Sequence, residues 1–128
     1  MAQVKVYGRR SIWQGRTAEV SDAIHRIVVD AWALPAEKRF HRFLLLADDE
    51  LVAPGRGPAY LVVEVVAFAG RSEHAVRRLV HGLARELPAA LGVDEQDVEA
   101  VVLEVPATHW AIRGRAGDEL ALDYRVDV

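Results

Sequence analysis

Residues 68–79, FAGRSEHAVRRL, carry the most concentrated chemical signal in the chain. Phe68 ends an apolar run, Gly70 gives the backbone room to turn, Arg71 stands at the junction and Ser72 is placed to cap a helix. A helix start offers free N–H groups and a partial positive charge. An arginine beside it adds a planar fork matched to a carboxylate. The outline is that of a small-anion site; the plainer reading is a surface ion pair beside an ordinary cap. A second basic group, Lys38, Arg39, His41 and Arg42, lies in EKRFHRF. On a strand, Arg39 and His41 share one face, and Phe40 and Arg42 the other. A third, Arg113 and Arg115, flanks Gly114 in an apparent turn, where Asp118 or Glu119 offers each a partner. Trp110 stands just before that turn, able to wall a pocket or pack beneath one. Glu64 and Glu104 interrupt apolar strands, and a carboxylate there needs a partner or a shifted pKa.

The five histidines, at 25, 41, 74, 81 and 109, form no ligand spacing, so no metal is expected. No glycine-rich nucleotide motif occurs, and no cofactor is expected.

These residues need a frame. Val4 and Val6 alternate with Gln3, Lys5 and Tyr7, so a strand is expected almost from the first residue. Sheet pairing, a subunit contact or chemistry at the terminal nitrogen are reasons to order such an end. Val20, Ile24, Ile27, Val28, Ala31 and Trp32 recur at helical spacing, with Thr17 as the expected N-cap and Pro35 beyond the end. RFHRFLLL reads as a short strand. The proline- and glycine-rich segment before Ala59 reads as a loop with room for a small hairpin. Residues 59–68 read as a buried strand. A second helix follows, with Val76, Leu79, Val80, Leu83 and Leu87 on its stripe, Pro88 bending or shortening it, and Gly92 ending it. Residues 98–105 form another strand. In the tail, Leu122, Tyr124, Val126 and Val128 alternate with Asp123, Arg125 and Asp127.

The order is β-α-β, loop, β-α-β, tail: an α+β domain over 1–128, with a pseudo-repeat of 1–50 and 58–106 and a tail over 107–128. Right-handed crossovers make each half a parallel pair, giving a four-stranded sheet with two helices on one face. The other face is apolar enough to need a cover, which suggests oligomerisation, with the tail reaching a neighbouring subunit.

Composition narrows the classes. The chain has 128 residues, 52% hydrophobic, with net charge −3 and no cysteine. The acidic balance speaks against nucleic-acid binding. No apolar run approaches a membrane span, and the first residues do not show the apolar run of a secretory signal, so none is expected. A cytoplasmic protein is the default expectation, and the lack of cysteine fits a reducing compartment.

Together, the doubled β-α-β pattern, the early strand, GRS opening the second helix, LPAEKRFHRF and the closing HWAIRGRAGDEL resemble the tautomerase superfamily. The nearest branch is the malonate semialdehyde decarboxylase and cis-3-chloroacrylic acid dehalogenase group. The resemblance implies an α+β homotrimer with sites at subunit boundaries. It also implies an N-terminal proline amine, exposed by removal of methionine, as general acid or base. Here that position is Ala2, a primary amine once Met1 is removed and an amide otherwise. Arg71 matches a carboxylate-binding arginine and Trp110 a pocket tryptophan. The second arginine is replaced by Ala69 or Phe68, and the water-activating aspartate by Lys38.

The function expected is binding of a small, 2-oxo-acid-like carboxylate, with weak keto–enol tautomerisation. Ala2 and Arg71 are the expected catalytic groups, and Arg71, Lys38, Arg39, His41 and Trp110 the binding groups. A non-catalytic anion-binding module and a purely structural trimer are the alternatives.

Overall fold

The computed structural model describes residues 2–128; Met1 lies outside the described residues. The main sheet is built from β1 (Ala2–Arg9), β2 (His41–Leu46), β3 (Leu61–Phe68) and β4 (Val98–Val105), in the order β2-β1-β3-β4. The β1–β2 and β3–β4 pairs are parallel and β1–β3 is antiparallel, so two parallel units join into one mixed sheet. Between the strands run a one-turn helix α1 (Arg10–Trp13), α2 (Thr17–Trp32) and α3 (Glu73–Leu91). A two-residue hairpin, β5 (Ala111–Ile112) with β6 (Arg115–Ala116), follows β4.

Both long helices cover one face of the sheet. Alternation in β1 and β3 sends Val4, Val6, Leu61, Val63, Val65 and Ala67 into the core. They meet Val20, Ile24, Ile27 and Val28 of α2 and Leu79, Leu83 and Leu87 of α3. Each fully buried leucine contributes roughly 1.5–3 kcal/mol over its exposed state. The α3 stripe is rotated from the expected one. Ala75 and Leu91 belong to it, whereas Val76 is half-buried and Val80 lies at its exposed edge.

Several local expectations are corrected. Thr17 is the first helical residue rather than the cap, and α1 supplies a fully buried Trp13. Pro88 does not end α3, because its carbonyl accepts the N–H groups of Gly92 and Val93 and the helix closes at a left-handed Gly92. The 47–60 loop holds a 3-10 turn and no hairpin. The tail folds back onto its own chain: Val128 O accepts from Ser72 N at 2.9 Å, and Tyr124 and Val128 pack against the core.

The opposite sheet face carries Tyr7, Leu44, Val62, Glu64, Val66, Val101 and Leu103, of which Leu44, Val101 and Leu103 are exposed. Glu64 lies beside Lys5 across the strands and accepts a hydrogen bond from Tyr7, which raises the phenol pKa. No helix among the described residues is long and apolar enough to cross a membrane.

Candidate functional site at one end of the sheet

The chain directions bring one edge of the molecule into focus. The starts of β1 and β2 and the ends of β3 and β4 lie at the same end of the sheet. The segments leaving β3 and β4, the approach to β2 and the final residues therefore gather there. Ala2 pairs with Ala67, and Ala67 with Glu104, so these three residues form a row across three strands. Paired residues project to the same face, here the helix-covered one.

Arg71 follows β3 directly and is only 7% exposed. Its guanidinium lies 3.9 Å from the Trp32 ring centroid, and its Nη1 donates to Phe68 O at 3.1 Å. Nε and Nη2 have no hydrogen-bond partner among the described residues. Those two nitrogens form the side edge of the fork, the one that grips a carboxylate with parallel bonds. Burial lowers the guanidinium pKa, while Tyr124 and Glu104 raise it electrostatically. Gly70, with φ 132°, makes the turn that tucks Arg71 inward, and Val126 lies against it. Ser72 caps α3, its Oγ accepting from Ala75 N at 3.1 Å.

The second basic group is divided among partners. Lys38 reaches Asp123 of the tail at 3.8 Å. Arg39 pairs with Asp22 of α2, and His41 Nδ1 lies 2.7 Å from Ser21 Oγ. Arg39 and His41 thus share a side, as strand parity suggests, but they turn to α2. Burial first, then His25 and Arg39, lowers the His41 pKa to about 4, leaving a neutral imidazole at neutral pH. Arg42 donates to Gln3 Oε1 on the open face.

Trp110 stands on that open-face side, its ring edge-on to Phe68 with centroids 5.2 Å apart. It lines a cleft of about 260 Å³ with Gln3, Phe40, Ile112 and Arg113. Arg113 and Gly114, both at positive φ, form the tight turn of the hairpin. Neither Arg113 nor Arg115 forms an ion pair with Asp118 or Glu119 in the structure. Gly117 allows the hairpin to close over Phe68: a Cβ there would stand 2.5 Å from Ala107 O and 2.9 Å from Phe68 Cζ.

Sequence reasoning missed Trp32 as the shelf under Arg71 and Tyr124 as an electrostatic neighbour of it. The signals were there: Trp32 ends the α2 stripe, and Tyr124 lies on the apolar side of the alternating tail.

A family model described as tautomerase enzyme matches residues 38–113, more than half of the chain. The chain belongs to this tautomerase family. A curated relative, the probable tautomerase RSp0893 of Ralstonia nicotianae, is 32% identical over 53 residues, covering 41% of this chain and 76% of the relative. Among solved structures, native fused 4-OT superposes with a TM-score of 0.83 at 21% identity, over 92% of this chain and 98% of the other. A malonate semialdehyde decarboxylase does so with 0.79 at 25%, over 92% and 99%. A member of the cis-3-chloroacrylic acid dehalogenase family gives 0.77 at 20%, over 89% and 82%. The expected superfamily and α+β fold are both borne out.

Proposed function

We propose that this chain catalyses keto–enol tautomerisation of a small 2-oxo-acid-like carboxylate held by Arg71. The observation that carries the reading is the edge of a buried guanidinium, Nε and Nη2, that has no hydrogen-bond partner among the described residues. An arginine placed there for stability alone would have its donors satisfied, because a buried cation without partners is costly. A bound carboxylate supplies both missing acceptors and the missing charge.

The proton-moving group in this proposal is the nitrogen of Ala2, made a primary amine by removal of Met1. Such an amine has a reference pKa of about 7.7–8.0, suited to giving and taking protons near neutrality. It lies in the row that leads to Glu104, at the same end of the sheet as Arg71. Lys38 adds positive potential beside the tail, while Arg39 and His41 hold the β2 entrance against α2. Trp110 walls the open-face side.

The test is the rate of ketonisation of phenylenolpyruvate. The wild-type protein is expected to exceed the buffer rate, and Arg71→Gln to lower kcat/KM by roughly 10–100-fold, the worth of a charge-assisted hydrogen-bonded pair. Equal rates with and without protein would defeat the proposal.

The assembly proposed is a homotrimer through the open sheet face, whose exposed Leu44, Val101 and Leu103 call for a cover. A fused 4-OT of similar fold, 24% identical, is a trimer. Sedimentation equilibrium is expected to give three times the chain mass; a monomer would exclude it.

A further inference from the structure

The cleft beside Trp110 is open to solvent, and most of its lining plays no part in the reading above. Gln3, Phe40, Trp110, Ala111, Ile112 and Arg113 surround about 260 Å³, with one cation, one amide, two aromatic rings and no acid among them. Pockets for drug-sized ligands run from roughly 300 to 1,000 Å³, so this one suits a smaller molecule. Its walls are held in place. Phe40 O accepts from Val4 N at 2.9 Å, and Trp110 O accepts from Gly117 N at 2.7 Å. Yet the Phe40 side chain is 45% exposed, an apolar ring left to water at the cleft. Gln3 Oε1 is occupied by Arg42 Nη1, which leaves the Gln3 NH2 group as a donor. Arg113 has no ion pair among the described residues. An exposed arginine without a partner is ordinary, but its backbone here is not. Its φ is 51°, in the left-handed region that favours glycine or asparagine. Gly114 follows at φ 78°, and Asn-Gly is the pair that such a turn prefers. The turn by itself gives no reason for a long cationic side chain at this position.

We propose that this cleft binds a small, flat carboxylate with an aromatic or conjugated body, and that Arg113 sets its selectivity for the anion. The body of the ligand lies against Phe40 and Trp110, where offset or edge-on ring contacts add to the burial of apolar surface. The carboxylate pairs with the Arg113 guanidinium, whose planar fork matches it, and accepts from the Gln3 amide. Ring burial supplies most of the affinity, including the covering of Phe40. The single cation in an acid-free lining discriminates against neutral ligands of the same shape. Arg71 is not among the residues that line this cleft. The inference therefore goes beyond the tautomerase reading and depends neither on turnover nor on the Ala2 amine.

The experiment adds trans-cinnamate to the full chain and follows the indole N–H signals in nitrogen–proton correlation spectra, with cinnamamide and acetate as comparators. Trp110 lines the cleft, Trp32 carries Arg71 and Trp13 is fully buried, so the three signals of the chain report three places. Trp110→Phe assigns the first of them. The expected result is a saturable shift of the Trp110 signal with Kd near ~1 mM, fitting a ligand of about a dozen heavy atoms. Trp32 and Trp13 stay unmoved. Uncharged cinnamamide should bind about 10-fold more weakly, and acetate should leave Trp110 unmoved. Arg113→Asn keeps the left-handed turn and should weaken cinnamate about 10-fold. Phe40→Ala, at an exposed position, should weaken it several-fold. Equal affinity for cinnamate and cinnamamide, or equal affinity of wild type and Arg113→Asn, overturns the role of Arg113. A shift confined to Trp32 puts the carboxylate on Arg71, overturns this inference and leaves the tautomerase reading standing. No shift of Trp110 overturns the site; if Phe40→Ala then also changes the sedimentation mass, the exposed ring is a subunit contact instead.

Discussion

Arg71→Met is expected to melt at a higher temperature than the wild type while losing carboxylate binding. Three contributions decide the sign. The stacking on Trp32 is worth about 0.5–2 kcal/mol, and the bond to the Phe68 carbonyl roughly 1.5–3 kcal/mol. Against them stands the desolvation of a cation 7% exposed, which costs several kcal/mol when its partners are incomplete. Nε and Nη2 both lack an acceptor among the described residues, so desolvation wins. Methionine keeps a flexible, polarisable chain over Trp32 and removes the charge. The net gain expected is about 1–3 kcal/mol, read by thermal or urea unfolding of the ligand-free protein. Added 2-oxo acid should raise the wild-type melting temperature and leave the variant unmoved. A lower melting temperature in Arg71→Met would mean that the guanidinium is a net structural element, and would remove the argument for an anion between Arg71 and its surroundings.

Such a balance is the mark of a site held ready at a cost to stability. It also explains which features sequence could show. The α2 stripe was legible because Val20, Ile24, Ile27, Val28 and Ala31 all face one sheet, and a period of 3.6 survives any detail of packing. The long strands were legible because an apolar run ends at glycine or proline. The α3 stripe was misread by a fraction of a turn. Val76 and Val80 are as apolar as their neighbours, and only the crossing with α2 selects Ala75, Leu79 and Leu83 instead. Pro88 was misread because a proline in the last turn removes one donor where the following N–H groups can still reach its own carbonyl.

Within the site, the GRS junction announced Arg71 and the cap, but not the direction of the guanidinium. That direction depends on Trp32, 39 positions away, and on a tail without regular structure. No local pattern encodes either contact. Lys38, Arg39 and His41 were legible as a basic cluster, yet their partners Asp123, Asp22 and Ser21 come from two other segments. The row linking Ala2 to Glu104 is a matter of strand order and register. It became visible only when β1 and β4 were placed on either side of β3.

Phe68→Ala is expected to be the most damaging single truncation at this end of the molecule, costing about 3–5 kcal/mol in urea unfolding. Phe68 is 2% exposed although its side chain points to the otherwise open face of the sheet. The hairpin segment makes the difference: Trp110 meets the ring edge-on and Gly117 closes over it. On the other side of the same residue, the Phe68 carbonyl accepts from Arg71. One residue therefore fastens the segment after β4 with its side chain and the Arg71 guanidinium with its backbone. Truncation to alanine opens a cavity beneath the hairpin and leaves Trp110 without its neighbour. Trp110→Ala removes a half-buried ring from the rim and should cost less, about 1–2 kcal/mol, because solvent already reaches that position. The ordering of the two variants is the informative result. If Trp110→Ala were the more damaging, the hairpin would be held by Trp110 contacts elsewhere, and Phe68 would be a bystander to the geometry of Arg71. If Phe68→Ala is the more damaging and also loses turnover, the packing of the open-face hairpin and the placement of the guanidinium are mechanically joined through a single backbone position.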